Sequence, residues 1–206
     1  MNKNIWIGII VVVLLGILAW VFMGDKPDTS LPEAQVSDTA NVSELEEENT
    51  QNEMGTTNED VMSVVNEKVS ITWKGFGPGR LHEGSFPNGV VSNLIINPDG
   101  MTVGTVEIDM STLKSDDTTL ETHLKSADFF DVAKFPKAMF VVKESTADSM
   151  TGTFTIHGVT KNITFPIVKS DVGYTANFRL NLENFGIKQA FANSEIELML
   201  TVPLSS

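Results

Sequence analysis

Apolar and polar residues alternate with a period of two through most of the chain after residue 68. In the segment 195–202, Ile196, Leu198, Leu200 and Val202 fall on one face, which is typical of a β-strand with one buried side. Similar alternation or short apolar runs predict further strands, at residues 69–73, 90–96, 101–110, 138–143, 153–157, 163–167 and 172–182. Turn-forming residues lie between them, at 97–100, 147–149, 158–160 and 170–173.

One stretch departs from this period. Leu120, His123 and Leu124 follow helical spacing, and Asp116 and Asp117 precede them as helix start signals. About eight strands with one or two short helices predict an all-β antiparallel barrel or sandwich. The period alone does not separate these two, although a barrel of that size encloses room for one elongated ligand.

The start of the chain is a different kind of sequence. Ile5 to Met23 is a run of 19 uncharged residues, and at about 1.5 Å per residue a helix of this length spans roughly 28 Å, close to the ~30 Å hydrocarbon core of a bilayer. Trp6 and Trp20 lie near its ends, where aromatic side chains favour the headgroup level. Residues 1–24 are therefore predicted to be a single transmembrane anchor. The alternative, a cleaved signal peptide, requires small residues at a cleavage site that the sequence lacks.

The charges beside this segment predict its orientation. The amino terminus and Lys3 lie on one side, whereas Lys26 is surrounded by acids on the other. The positive-inside rule then predicts a cytoplasmic N-terminus and an extracytoplasmic C-terminal domain.

Residues 25–60 form an acidic segment of low hydrophobicity. They contain 11 of the 27 acidic residues, one lysine and no aromatic residue, so little apolar area offsets the entropy of ordering. This composition predicts a disordered linker, which as a flexible chain reaches roughly 30 Å. The glutamate-rich stretch 44–48 is interpreted as part of this solvated tether rather than as a specific acidic ligand. Residues 61–206 hold 11 of the 12 Phe and form the predicted globular domain.

Whole-chain composition removes several classes of function. The formal net charge is −13 at pH 7 and no basic patch is visible in the sequence, which argues against a nucleic-acid partner. The absence of cysteine removes disulfides, thiolate chemistry and Cys-ligated metals. We therefore expect no cofactor, and the sequence does not indicate the oligomeric state.

Few residues are candidates for catalysis or metal binding. His82, His123 and His157 are 41 and 34 residues apart, without the close pair that a metal site on one element uses. We interpret them as structural or surface histidines and predict no catalytic residue and no metal. The glycine-rich run 75–79 lacks the Lys-Ser/Thr of a phosphate loop and is interpreted as a turn or bulge between strands.

An aromatic cluster follows the predicted helix. Residues 126–136 contain Phe129, Phe130 and Phe135 outside any clean strand. Two interpretations stay open from the sequence, namely packing of a crossover into the core and a lip over an apolar cavity. Such a cavity binds its ligand mainly through buried apolar area, at roughly 25 cal/mol per Å².

Several motifs resemble the YceI-like family. Residues 123–136, HLKSADFFDVAKFP, are similar to its HLKSxDFFDVxKYP motif, and residues 152–161, GTFTIHGVTK, resemble its GxLTxHGVTK hairpin. Residues 107–113, EIDMSTL, resemble its IDMxSI element, and the WxG and HxG of residues 73–84 resemble the first hairpin of one subgroup. Together the matches extend over most of residues 65–204.

The resemblance implies a lipocalin-like antiparallel β-barrel, usually exported, that binds a long isoprenoid or other amphiphilic lipid in an elongated apolar channel. It implies binding, storage or transport rather than a defined reaction. The family commonly has an Asp-Arg pair shortly before a Phe/Trp-Gly-Ile sequence, where this chain has Asn181 and Leu182. A charged pair in the family is replaced here by one neutral and one apolar residue. This predicts that the chain binds a lipid different from that of the family, or one that is more neutral.

The combined prediction is a membrane-anchored, lipid-binding β-barrel without catalytic activity. His82 and His123 are its predicted polar head-group contacts. Its predicted cavity wall consists of the larger apolar residues of the strands and of the aromatic cluster: Trp73, Val106, Ile108, Phe129, Phe130, Phe140, Phe154, Phe178 and Leu180. Two alternatives stay open, an enzyme that acts on a small apolar substrate with His82 or His123 as the base, and a structural surface module whose barrel is filled by side chains.

Overall fold

The computed structural model describes residues 25–39, 63–65, 69–77, 79–96, 102–170, 173–188 and 194–203. In these ranges the chain folds into two antiparallel β-sheets and one short α-helix, so the predicted all-β class is confirmed. The strands are β1 (Gln35–Asp38), β2 (Ser63–Val65), β3 (Ser70–Gly77), β4 (Arg80–Ser85), β5 (Val90–Ser92), β6 (Leu94–Ile96), β7 (Thr102–Asp109), β8 (Lys114–Ser115), β9 (Lys137–Ser145), β10 (Ser149–Ile156), β11 (Val159–Pro166), β12 (Val168–Ser170), β13 (Gly173–Asn181) and β14 (Glu195–Pro203).

The two sheets face each other across an apolar interior. The first has the order β1-β11-β10-β9-β7-β6-β2 with β5 beside β7, and the second has the order β12-β13-β14-β3-β4-β8. Their registers place Phe154 opposite Phe140 and Phe178 opposite Leu198, which groups large apolar side chains on one face of each sheet. Phe165 of the first sheet stacks on Phe178 of the second, with 4.5 Å between ring centroids.

The strand pairs of the described ranges do not close into a barrel. These ranges form two facing sheets with more and shorter strands than the predicted eight, and the closed barrel stays a prediction. One cause lies within residues 90–96, where Asn93 accepts a hydrogen bond from the Thr105 N–H and donates its own N–H to the Thr105 carbonyl, which divides the stretch into β5 and β6. Strand β4 is absent from the predicted set because its sequence, RLHEGS, has no apolar period.

The predicted helix is present as α1 (Thr118–Lys125), and it begins directly after the predicted start signals Asp116 and Asp117. Asp117 is its N-cap, because its carboxylate accepts hydrogen bonds from Thr119 N at 2.8 Å and from Leu120 N at 3.0 Å. The helix therefore begins where the sequence supplies an acceptor for its first free N–H groups.

The linker predicted at residues 25–60 is not disordered throughout, because residues 25–38, here named the N-terminal strap, are ordered against the domain. Arg179 in β13 donates its N–H to the Pro32 carbonyl at 2.9 Å and accepts from the Ala34 N–H at 2.8 Å. The strap then ends as β1, which pairs with β11 of the other sheet. Composition did not reveal this element because backbone hydrogen bonds to a strand need little apolar side-chain area.

The predicted transmembrane anchor, residues 1–24, lies outside the described residues, as does the rest of the predicted linker up to residue 60. The boundary of the domain at residue 61 also stays a prediction. Within the described ranges, no helix has the length and hydrophobicity needed to cross a bilayer.

Candidate functional site

A cavity of about 430 Å³ lies between the two sheets. Thirty of the described residues line it, contributed by both sheets, by α1, by the aromatic cluster and by connecting segments. Its volume falls within the range of about 300–1,000 Å³ that small-molecule pockets occupy. Apart from the indole of Trp73, only His82, His123 and Ser194 bring polar side chains to the described part of this wall. The interior is therefore not filled by side chains. This contradicts the alternative of a structural surface module whose barrel has a filled interior.

The structure places all nine predicted wall residues at this cavity. Eight of them are buried and Phe129 is half-buried. His82 and His123, the predicted head-group contacts, line the cavity as well. Their contact with a ligand stays a prediction. The nine residues are Trp73, Val106, Ile108, Phe129, Phe130, Phe140, Phe154, Phe178 and Leu180.

The wall also contains apolar residues that the prediction omitted. Leu198 lies opposite Trp73 and Leu200 lies opposite Ile71 in the pairing of β14 with β3, and all four line the cavity. The sequence carried the signal for the two leucines, since the period of two in residues 195–202 places them on one face. The complete wall could not be derived in this way, because part of it comes from segments without strand periodicity.

The aromatic cluster divides between cavity wall and surface. Phe129 and Phe130 line the cavity, and their rings meet edge to face with centroids 4.7 Å apart. Phe135 instead packs on His157, 4.7 Å between centroids, outside the cavity wall. His157 has a φ of 53° and lies in the β10–β11 turn rather than on a strand. Phe129 and Phe130 therefore agree with the cavity interpretation, whereas Phe135 belongs neither to the cavity wall nor to the buried core.

The polar side chains of the wall gather at one end of the cavity, here named the polar end. His82 and Ile196 lie opposite Gly75 on either side of β3, so Ser194, just before β14, belongs to the same end. His123 is the single exposed residue among those described in the wall. His123 belongs to α1, which starts next to Asp116, the hydrogen-bond partner of His82. We therefore interpret the exposure of His123 as the position of the mouth, at the polar end.

A charged network fixes the position of His82. Its Nδ1 lies 3.0 Å from Asp116 Oδ1, and Arg80 Nη2 lies 3.1 Å from Asp116 Oδ2. The hydrogen bond from His82, with smaller contributions from Ser115 and Arg80, lowers the pKa of Asp116 to about 2. The carboxylate is thus charged at neutral pH and favours a proton on Nδ1. The other nitrogen, Nε2, then lies on the cavity side, 3.8 Å from where a Cβ on Gly77 would be.

Trp73 lies in the wall with its indole ring against Gly84. A Cβ on Gly84 would overlap both the indole and the Lys114 carbonyl oxygen. The indole Nε1 is buried and has no hydrogen-bond partner among the residues that the structure describes. An unpaired buried donor costs about 1–3 kcal/mol, which the large apolar area of the ring offsets.

The two residues that depart from the family motif have separate roles. Asn181 caps the 3-10 helix Leu182–Phe185, because its side chain accepts a hydrogen bond from Glu183 N at 2.9 Å. Leu182 is buried and lines the cavity. A position that would carry a charge in the family is therefore part of the apolar wall in this chain.

Comparison with protein-family models matches residues 61–204 to the YceI-like domain. The match covers more than half of the chain and includes every strand except β1. The N-terminal strap therefore lies outside the part of the chain that the family model describes.

Similar curated proteins come from pseudomonads. The UPF0312 protein of Pseudomonas putida strain W619 is 41% identical over an alignment of 106 residues, and the alignment covers 44% of this chain and 55% of that protein. The UPF0312 protein of Pseudomonas syringae pv. syringae strain B728a is 44% identical over an alignment of 99 residues, and the alignment covers 40% of this chain and 51% of that protein. The chain spans about half the length of the curated relatives it matches.

Solved structures share the fold. BcnA of Burkholderia cenocepacia superposes with a TM-score of 0.56 at 16% identity, over 69% of this chain and 99% of its own. A polyisoprenoid binding domain from Saccharophagus degradans, implicated in plant cell wall breakdown, superposes with a TM-score of 0.50 at 10% identity, over 70% and 97%. At these identities the likeness concerns the fold alone. The shared fold agrees with the quoted motifs and with the family match over residues 61–204. The chain therefore belongs to the YceI-like family.

Proposed function

We propose that this chain is a membrane-anchored, extracytoplasmic protein that binds an isoprenoid or another long amphiphilic lipid, for storage or transport and without catalysis. The observation that carries the proposal is the cavity of about 430 Å³, whose wall is apolar except at one end. An amphiphile has the matching distribution of polarity. The description of the Saccharophagus fold relative as polyisoprenoid-binding supports an isoprenoid chain.

The length of the cavity suits an extended chain. Ile71 and Gly77 both line it along β3, and six residues of a strand span about 20 Å. Burial of about 200 Å² of hydrocarbon along this wall would contribute about 5 kcal/mol to binding. The apolar tail therefore supplies most of the affinity, and the polar end selects the head group.

The chemistry of the polar end favours a neutral head group with an oxygen atom, such as a hydroxyl or a carbonyl. His82 presents Nε2 on the cavity side while Asp116 holds Nδ1, and His123 lies at the mouth. Leu182 adds to the apolar wall where the family commonly carries a charge. These residues provide hydrogen bonds to a head group without an unpaired charge in the wall.

The second candidate is an acid–base reaction on a bound apolar substrate. The 3.0 Å contact between His82 and Asp116 favours it, since a carboxylate that orients a histidine is a recurring feature of general-base sites. Mass spectrometry of a lipid recovered after prolonged incubation separates the two candidates. An unchanged mass agrees with binding, and a changed mass that reverts in His82→Ala supports the enzyme.

Trp73 provides a direct test of ligand binding. It is the only tryptophan outside the apolar segment, so the double variant Trp6→Phe, Trp20→Phe makes it the sole indole reporter. We expect titration of the full chain with farnesol, a C15 isoprenoid alcohol, to change Trp73 emission saturably, because the indole lines the cavity. Extracts of the purified chain without lipid, together with no change in emission, would overturn the proposal.

A variant that fills the cavity provides the matched control. Leu200→Trp enlarges a wall residue, whereas Met199→Trp places the same side chain on the opposite face of β14, where the native residue is 48% exposed. We expect farnesol retained through gel filtration to fall about tenfold or more in the first variant, since a filled cavity forfeits about 1.4 kcal/mol or more of tail burial. We expect little change in the second. Equal retention in both would contradict binding at this site.

A further inference from the structure

The N-terminal strap is seated on a charged site at the outer face of the second sheet. Glu197 is only 7% exposed there and accepts a hydrogen bond of 2.6 Å from the Asp28 N–H. Arg179, opposite Glu197 in the register, donates from Nε to the Leu31 carbonyl at 3.1 Å and pairs with Glu195 at 3.0 Å. A buried carboxylate is stable only with such donors, so the strap occupies a specific seat on the sheet.

The strap begins at the polar end of the cavity. Asp25 Oδ2 accepts a hydrogen bond of 3.0 Å from the Leu81 N–H. Leu81 lies in β4 between Arg80 and His82, and its partner in β3, Phe76, lines the cavity. Residue 25 is therefore held beside the mouth. From there the N-terminal strap crosses the outer face of the second sheet and ends at β11 of the first sheet.

The position of residue 25 also constrains the apolar segment, Ile5 to Met23, because that segment ends just before it in the sequence. Met23, the last residue of that segment, is two residues before Asp25, and two extended residues span at most about 7 Å. We infer that the strap holds the polar end of the cavity against the surface of the bilayer, in place of a free tether with a reach of roughly 30 Å. This inference rests on the anchoring that is part of the proposed function.

Such docking gives an amphiphile a short path between bilayer and cavity. Its head group stays at the interface, near His82 and His123, while its tail moves from the hydrocarbon core into the cavity without crossing bulk water. The end of the tail then lies near Ile71 and Leu200, at the opposite end of the wall. A freely tethered domain would instead present its mouth in every direction.

Fluorophores at the two ends of the domain test this placement. The chain has no cysteine, so single cysteines at Ala127 and Ala147, both exposed, take a thiol-reactive dye selectively. Ala127 follows α1 near the mouth, and Ala147 lies in the β9–β10 turn at the other end, about 25 Å away by the length of an eight-residue strand. In vesicles whose lipids carry a quencher on the head group, we expect residue 127 of the full chain to be quenched roughly threefold more than residue 147.

Two variants release the domain in different ways. An insertion of about 20 Gly/Ser residues after Gly24 leaves every strap contact intact but adds roughly 25 Å of reach, and we expect it to abolish the difference between the two labels. The same insertion after Asn52, downstream of the strap, is expected to preserve the difference. Ala34→Arg puts a charged side chain at a position that is 5% exposed and detaches the strap, with the exposed Gln35→Arg as its control.

Flotation of the vesicles and retention of farnesol are measured on the same samples. Equal quenching at residues 127 and 147, in a native chain that floats and retains farnesol, overturns the inference and leaves the proposed function intact. A chain that does not float overturns the inference together with the anchor. A chain that floats with unequal quenching but retains no farnesol supports the placement and contradicts the lipid-binding proposal.

Discussion

At the residue scale, glycines determine where two aromatic wall residues lie. A Cβ on Gly84 would overlap the indole of Trp73, and a Cβ on Gly152 would overlap the ring of Phe140. Each ring therefore packs over a glycine of the neighbouring strand in its own sheet. The space between the sheets stays open in part because these two positions carry no side chain.

Substitution of Gly84 tests this role. We expect Gly84→Ala to lower the free energy of unfolding by about 1–3 kcal/mol, because the added methyl group displaces Trp73 or the Lys114 carbonyl. Urea denaturation followed by Trp73 emission measures the change. Gly75→Ala is the matched control, since its Cβ would meet the same indole at an ordinary 3.5 Å. A loss as large in the control would contradict the argument.

At the element scale, α1 forms the mouth of the cavity because of one capping residue and one apolar stripe. Asp117 satisfies the first free N–H groups of the helix, while Leu120 and Leu124 face the cavity and His123 borders the opening. A helix of eight residues has little stability of its own. The order of the mouth therefore depends on this cap and on packing against the sheets.

Removal of the cap is expected to loosen the mouth. Asp117→Ala should lower the free energy of unfolding by about 1 kcal/mol, whereas Asp117→Asn keeps an acceptor for the helix N–H groups and should stay close to the native value. Because the mouth is then less ordered, we also expect farnesol to dissociate faster from the alanine variant. Dissociation rates that are equal in the two variants would show that α1 does not limit exit of the ligand.

The elements that sequence reasoning found and missed differ in what holds them together. Strand β13 buries every second side chain from Tyr174 to Leu180, and β14 turns its alternate apolar residues Ile196, Leu198 and Leu200 to the cavity, so the period of both strands is visible in the sequence. Strand β4 and the N-terminal strap are held by backbone hydrogen bonds and by charged contacts of Asp116, Arg179 and Glu197, which leave no apolar period. The sequence predicted only part of the cavity wall for the same reason. Only the strand positions and the phenylalanine cluster of the wall have a pattern that is visible in the local sequence.

At the scale of the whole molecule, carboxylates with partners make stability depend on acidity. The hydrogen bond from His82 lowers the pKa of Asp116 to about 2, the hydrogen bond from Lys161 lowers the pKa of Asp38, and the hydrogen bond from Lys125 lowers the pKa of Glu121. A carboxylate whose folded pKa lies below its unfolded value stabilises the fold above the unfolded pKa. This contribution is lost as the pH falls through the folded pKa.

Acid denaturation is the corresponding measurement. We expect the urea midpoint to be nearly constant from pH 7 to about pH 5 and to fall between about pH 4 and pH 2, the interval between the unfolded and folded pKa values of Asp116. Asp116→Asn should show a smaller fall over this interval, because its side chain does not titrate. A midpoint that rises below pH 4 would contradict this electrostatic account.

The unfilled interior also makes this fold compressible in a way that a solid core is not. Unfolding under hydrostatic pressure is driven by the elimination of internal void volume, and an apolar cavity of about 430 Å³ adds to that volume to the extent that water does not enter it. A hydrocarbon tail between the sheets would occupy this space and reduce the volume change. The pressure at which the protein unfolds therefore reports, without any label, whether the protein has a lipid bound.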